Sequence, residues 1–507
     1  MDAQGGSVVG AAVEPRSGHG VELLTYADRL GGDLARLGDL LAGPLSDFDG
    51  VHILPFFVPY DGADAGFDPV DHAQVDPRLG DWDQVRALAK GCEVTADLIV
   101  NHVSSESAEF RDWLRLSDAS PYDGMFLTYA TVFPDGGTEQ QITAFYRPRP
   151  GLPFTAYSHA DGQRRLVWTT FLPSQVDLDV HHPRAKDYLR RILTVLRTGG
   201  VTTVRLDAVG YAVKTPGTDS FMTAQTLDFV SEITALAREI GLRVLVEVHA
   251  NYRQQLAIAP LVDLVYDFAL PALLLHGFGT HTVDRLAHWL DIRPSNAITV
   301  LDTHDGIGVI DAGPGGGQPG LLSLEEMTAI FARAETATNG HSAIASVVPE
   351  WAAMPHQINA TFFSALGADL TTYLVARAVQ LWMPGRPQLY YVGLLGGLDD
   401  VELFARTGNG RDVNRHVYDA DETADALRSD VTRALLALVR LRSNHRAFDG
   451  TFSHRVLGED RIELTWTGAE ASARLEAGFA AQPDLVIELT DAAGSGVVTE
   501  PGQLLEL

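Results

Sequence analysis

Short apolar runs rich in β-branched residues recur along the chain, separated by longer stretches in which apolar positions fall three and four apart. The runs VELLTY (21–26), GVHILPF (50–56), EVTADLIVNH (93–102), VTTVRLD (201–207), RVLVEVH (243–249), LVDLVYDF (261–268), AITVLDTHD (297–305) and PQLYYVG (387–393) predict strands. Between them lie helical patterns such as FMTAQTLDFVSEITALAREIG (221–241), which closes on a glycine as helices commonly do. Strand and helix in alternation are the signature of parallel βα units, and eight such strands predict an α/β fold of the (β/α)8 TIM barrel type.

Two connections exceed ordinary loops. Residues 103–182 follow the third strand and 307–367 the seventh, so both are read as inserted subdomains, B and B′. The barrel then occupies 21–102, 183–306 and 368–447, behind a flexible N-terminal extension, 1–20. Beyond residue 448 the helical pattern stops, and RIELTW and LVIELTD alternate like half-buried antiparallel strands, which predicts a small all-β domain over 448–507. The glycine-rich AGPGGGQPG (312–320) lacks the Lys-Ser or Lys-Thr of a phosphate cradle and reads as a flexible loop.

Composition narrows the function. Hydrophobic residues make up 46% and charged residues 21% of the 507, without an apolar run long enough to span a membrane. The N-terminal stretch carries Asp2 and Glu14 and no basic region, so it does not read as a signal peptide, and a cytoplasmic location is expected. Cys92 is the single cysteine, which excludes internal disulfides and cysteine metal clusters and reads as a small core residue. A net charge of −28 repels nucleic acid and anionic membrane surfaces. An anionic substrate would need its own local cluster of Arg, Lys or His.

The chemistry lies at the strand ends. Asn101 and His102, Arg205 and Asp207, Glu247 and His249, and His304 and Asp305 close four of the strands, and a barrel of this kind works at its carboxyl-end mouth. Three carboxylates on one mouth suit glycosidic chemistry: one attacks or stabilises an oxocarbenium-like carbon, a second with a raised pKa protonates the leaving oxygen, and a third holds hydroxyls. Arg205 shares a strand face with Asp207, where its cation favours the ionised carboxylate.

The segments VRLDAVGY, VLVEVH, LDTHDG and DLIVNH resemble the four motif regions of the α-amylase-like glycoside hydrolases. HILPFF, YDGADAGFDPVDH, YRPRPGLPF, VYDFALP, DIRPSNAITVLDTHDGIGVID and NGRDVNRH resemble the sucrose phosphorylase branch, from about residue 21 to 455. That resemblance implies a retaining glucosyl transfer with Asp207 as nucleophile, Glu247 as acid/base and Asp305, beside His304, as transition-state stabiliser. It implies a glucose subsite of Asp64, Phe67, His102, Phe171 and Arg411, and an acceptor and phosphate side of Tyr146, Arg149, Tyr211, His249 and Gln357. Arg147, Arg149 and His249 would supply the positive cluster, while Arg415 reads as a structural ion-pair partner and Asn101 as a structural polar residue. The partners implied are a disaccharide or disaccharide phosphate and inorganic phosphate, with no cofactor and a homodimer; no metal is expected, because the Asp-rich loops near Asn101 lack a recognisable ligand spacing.

One stretch departs from the pattern. EWAAMPHQIN (350–359) places Met354, Pro355, His356 and Gln357 where sucrose phosphorylases resembling this chain carry Asp-Leu-Tyr-Gln. Loss of an anion and gain of an imidazole favour a second phosphate on the acceptor. The expectation is therefore sucrose 6F-phosphate as substrate, with His356 and Arg149 clamping its phosphate. The alternatives are plain sucrose, then glucosylglycerol or glucosylglycerate, a hydrolase or transglucosidase, and an inactive binding protein.

Overall fold

The computed structural model describes residues 20–62, 64–147, 151–346, 348, 354–492 and 494–506. Eight strands form a closed barrel: β1 (Glu22–Thr25), β2 (Gly50–Ile53), β3 (Glu93–Ile99), β4 (Thr203–Asp207), β5 (Arg243–Val246), β6 (Leu264–Asp267), β7 (Ala297–Thr299) and β8 (Arg386–Tyr390). Each pairs in parallel with its sequence neighbours, and β8 closes on β1 through Glu22↔Gln388.

Strand β4 explains the barrel's two surfaces. Val204 and Leu206 alternate with Thr203, Arg205 and Asp207, so the strand has one apolar and one polar face. The apolar face joins a core with Ile192 and Leu193 of helix Pro183–Thr198 and with Val230 and Ile233 of helix Ala224–Ile240. Polar side chains pair with one another inside the barrel: Gln388 Nε2 donates to Glu22 Oε2 at 2.6 Å, Thr95 Oγ1 to Glu22 Oε1 at 2.7 Å, and His52 Nε2 lies 3.1 Å from Asp97 Oδ2. Buried polar groups need such partners, so these residues fill the barrel without leaving lone donors.

All eight predicted strands are present, but most end earlier than their apolar runs. The third stops at Ile99, and His102 opens a separate short strand, His102–Ser104, that pairs with Gln175–Asp177. The fifth stops at Val246 and the seventh at Thr299, which leaves Glu247, His249, His304 and Asp305 on the loops beyond. Apolar character continues past those ends because the loops there are themselves buried: Val248, Val300 and Leu301 are all inside. The predicted helix 221–241 begins at Ala224, where Thr223 caps it, and ends at Gly241 in the left-handed region.

Between β3 and β4 lie helix Ala108–Leu116 and a hairpin of Phe154–Ser158 with Arg164–Trp168. After β7, Ile307–Gly308 pairs antiparallel with Gln357–Ile358 across an excursion that includes helix Leu324–Ala337. The chain closes with an antiparallel sheet of β9 (Thr451–Gly458), β10 (Arg461–Thr467), β11 (Ser472–Gly478), β12 (Asp484–Asp491) and β13 (Gly494–Val498). Trp466 anchors it to the barrel, donating through Nε1 to the Trp382 carbonyl at 2.7 Å. Among the described residues no helix is long and apolar enough to cross a membrane.

Candidate active site

Arg205 organises the mouth of the barrel. Its side chain is 2% exposed, and burying a guanidinium requires carboxylates to balance it. Nη1 contacts Asp97, its register partner on β3, and lies 3.0 Å from Asp207 Oδ1; Nη2 lies 2.5 Å from Glu247 Oε1. Asp207 and Glu247 thus converge on the two ends of one guanidinium. Asp305 stands beside them on a second cation, with its Oδ1 2.6 Å from Arg411 Nη1 and 3.8 Å from Arg415 Nη2. Arg415 also pairs with Asp412 at 3.7 Å and donates from Nε to the His304 carbonyl at 2.8 Å, so it supports the loop that carries Asp305.

The charges divide unevenly. Burial pushes the Asp207 carboxyl well above the ordinary range, the negative charge of Glu247 adds to this, and Arg205 only partly offsets both. Burial would raise Glu247 too, but Arg205 and then His249 outweigh it and bring that carboxyl down to about 2. Asp207 is thus the carboxyl raised and Glu247 the one lowered, the reverse of the raised Glu247 expected from the sequence; the cause is the short Nη2 contact to Glu247. Burial opposes ionisation of Asp305 as well, but Arg411 holds it far below the usual carboxylate range. His304 is neutral, brought down to about 3 by burial.

His249 behaves oppositely. Burial disfavours its cation, yet Asp311 and Glu247 push it up to about 10, so it is charged at neutral pH. Ligand atoms of Glu247, His249 and Asp305 lie within 4.8 Å of one another. A protonated imidazole and the guanidiniums already on Glu247 and Asp305 make that cluster hostile to a divalent cation.

The cavity above these groups collects most of the residues proposed from sequence. Asp64 Oδ2 accepts from Gln175 Nε2 at 2.6 Å, and Phe67 stacks on His304 with ring centroids 5.0 Å apart. His102 Nε2 lies 3.0 Å from the Phe67 carbonyl, and Phe171 stands between His102 and Tyr211. On the opposite side Tyr146 lies parallel to Tyr211 and to His356, and its hydroxyl is 3.1 Å from His356 Nε2. Gln357 donates to the Asp305 carbonyl and to Asn359 Oδ1 at 3.1 Å. Arg149 lies outside the described residues. Arg147 does not line the cavity but donates to the Gly151 carbonyl at 2.6 Å.

Some participants escaped the sequence reading. Phe221 lines the cavity 4.9 Å from the Tyr211 ring, from the loop before the helix in which its apolar pattern places it. Asp97 had a signal, a charge within an apolar strand, but its partner is set by register. Asn101 has the polar structural role expected of it: its Oδ1 accepts from Lys214 Nζ at 2.9 Å, and Lys214 also pairs with Asp177 at 2.7 Å.

A closed parallel barrel with carboxyl groups gathered at the carboxyl ends of its strands defines a class of TIM-barrel enzyme, and residues 46–253 match the family description "Alpha amylase, catalytic domain". The sucrose phosphorylase of Bifidobacterium adolescentis is 48% identical over 460 residues, covering 90% of this chain and 91% of that protein. The sucrose 6(F)-phosphate phosphorylase of Thermoanaerobacterium thermosaccharolyticum is 36% identical over 458 residues, covering 88% of this chain and 92% of that one. In three dimensions the crystal structure of sucrose 6F-phosphate phosphorylase from Thermoanaerobacter thermosaccharolyticum superposes with a TM-score of 0.89 at 33% identity, over 95% of this chain and 98% of that one. The chain belongs to the sucrose phosphorylase family of α-amylase-like enzymes.

Proposed function

We propose that the protein is a retaining glucosyl phosphorylase that converts sucrose and inorganic phosphate into α-D-glucose 1-phosphate and fructose. The observation that carries this reading is the convergence of Asp207 and Glu247 on Arg205, with Asp305 held ionised by Arg411 next to them. Asp207 attacks the anomeric carbon, the bond to the fructosyl oxygen breaks, and Glu247 gives that oxygen its proton. The resulting β-glucosyl ester is attacked by phosphate, whose proton returns to Glu247 as the ester bond breaks, and the α configuration is restored. Asp305 stabilises the positive charge that develops on the sugar in both steps.

This cycle needs the proton on Glu247 when fructose departs, whereas the surroundings raise Asp207 and lower Glu247. Sugar binding must reverse that order. Arg205 touches both carboxylates, so an oxygen of the leaving group arriving at Glu247 would release Nη2 and leave the guanidinium to Asp207 and Asp97.

Plain sucrose is favoured over the 6F-phosphate expected from the loop at 350–359. The sequence stands closer to a sucrose phosphorylase, at 48% identity, than to the sucrose 6(F)-phosphate phosphorylase at 36%. The surroundings of His356 also disfavour the charge its phosphate-reading role requires: burial lowers its pKa, and the cation of His249 lowers it further. The second reading, sucrose 6F-phosphate, keeps one argument, that Met354 removes an anion from the acceptor loop. Measuring kcat/KM for both sugars in inorganic phosphate, following α-glucose 1-phosphate, decides between them. Sucrose should win by at least about tenfold, the effect of one charge-assisted contact; preference for the phosphorylated sugar would restore the His356 reading, and glucose without phosphate consumption would make the enzyme a hydrolase.

A further inference from the structure

Asp311 is completely buried below the acceptor side of the cavity, in the turn Ile310–Ala312 that follows the short strand Ile307–Gly308. One oxygen is committed to the scaffold: Oδ1 accepts from the Ala250 amide at 3.0 Å and from Gln255 Nε2 at 3.3 Å. The other faces His249, with Oδ2 3.5 Å from Nδ1. Gly308 makes room for it, since a Cβ at that position would stand 3.2 Å from Oδ2.

The imidazole is fixed from its face as well as its edge. Its ring stacks on Phe268 with centroids 4.1 Å apart, and Phe268 stacks on Tyr266 at 4.7 Å. With the plane held and Nδ1 turned toward Asp311, Nε2 faces the catalytic groups, 3.5 Å from Glu247 Oε1 and 3.9 Å from Asp305 Oδ2. It makes no hydrogen bond among the described residues, although it is buried. A buried donor that the protein itself leaves without an acceptor is rare in folded proteins and calls for a functional explanation.

The charges facing His249 single out Asp311. Three carboxylates surround the ring: Glu247, Asp305 and Asp311. Glu247 is held by Arg205 and Asp305 by Arg411, while Asp311 has no cation but His249 among the described residues. The remaining titratable neighbour, His356, is kept neutral partly by His249 itself. We propose that Asp311 is a positioning residue that keeps His249 charged and aims its Nε2–H into the cavity, and thereby sets how well inorganic phosphate competes with water for the glucosyl ester. Phosphate profits from a fixed cation beside the acid/base, above all in a chain whose net charge of −28 repels it; water needs no such group.

This inference rests on the phosphorylase reading, and the two fail separately. The experiment is the Asp311→Asn variant, with glucose and α-glucose 1-phosphate both quantified from sucrose across pH 6 to 8.5 at several phosphate concentrations. Asparagine preserves the shape and the acceptor for the Ala250 amide but removes the charge, so His249 should lose its proton well below the value of about 10 that Asp311 and Glu247 together sustain. In the wild type the cation persists below about 10 and phosphate use stays high through this range. In the variant KM for phosphate should rise by about tenfold as pH climbs past 7, and the ratio of hydrolysis to phosphorolysis should rise with it. A role confined to folding would depress both reactions together and leave that ratio and the pH profile as in the wild type, which overturns the proposal. Should the variant not fold, nitrogen-15 NMR of the wild-type histidines decides: His249 must remain an imidazolium at pH 8, and titration near 6.5 ends the idea. A wild type that never forms α-glucose 1-phosphate refutes the phosphorylase reading itself.

Discussion

Arg205 bears most of the electrostatic load of the site. One fully buried guanidinium contacts Asp97, Asp207 and Glu247, and burial together with the mutual repulsion of Asp207 and Glu247 keeps a proton on the pair. Asp207→Asn removes the proposed nucleophile while leaving an isosteric, hydrogen-bonding group against Arg205. Glucosyl transfer should fall by more than about 10⁴-fold, with circular dichroism and melting temperature close to wild type; normal turnover would remove Asp207 from the mechanism. The three carboxylates were legible in sequence because each closes an apolar run within a recognisable motif. Asp97 was not, since the fact that gives it meaning is the pairing of Arg205 with Asp97 across neighbouring strands, residues 108 positions apart. His249 was legible as a cation beside the acceptor, whereas the carboxylate that keeps it charged arrives from the turn after β7.

At the level of elements, the loops beyond the strands do the placing. β7 stops at Thr299, and the path to Asp305 is held by the Thr303–Gly306 bridge and then by the pairing of Ile307–Gly308 with Gln357–Ile358. Gly306 lies in the left-handed region with φ at 111°, and a Cβ there would meet the Ile358 carbonyl at 2.6 Å. Neither strain nor clash relaxes without shifting this hairpin, which carries Gln357 on one arm and follows Asp305 on the other. Gly306→Ala should therefore lower kcat/KM for sucrose by at least about tenfold with a lowered melting temperature, although residue 306 bears no reacting group; unchanged kinetics would show that the hairpin does not position Asp305. The sequence reading took the strands too far here because it registers burial, and a loop buried under an insertion is as apolar as a strand.

On the scale of the whole molecule the acidity matters most for the second substrate. A net charge of −28 opposes the approach of phosphate and leaves neutral sucrose indifferent. Raising ionic strength from about 0.01 M to 0.15 M shortens the Debye length from about 30 Å to 8 Å, so KM for phosphate should fall while KM for sucrose stays constant. A phosphate KM unmoved by salt would mean that the local cations already mask the surface field. The sequence by itself determined the eight βα units and the closing antiparallel sheet and singled out Asp207, Glu247 and Asp305 as candidates, because hydrophobic period and strand-end polarity are properties of neighbouring residues. Tertiary structure alone decided which cations stand on which carboxylates, that Asp207 is raised and Glu247 lowered, and that His249 is pushed up while His356 is pushed down. Those depend on burial and on distances of a few ångströms between groups brought together by barrel closure, and charge interactions inside a low-dielectric interior follow distance in space, whatever the separation along the chain.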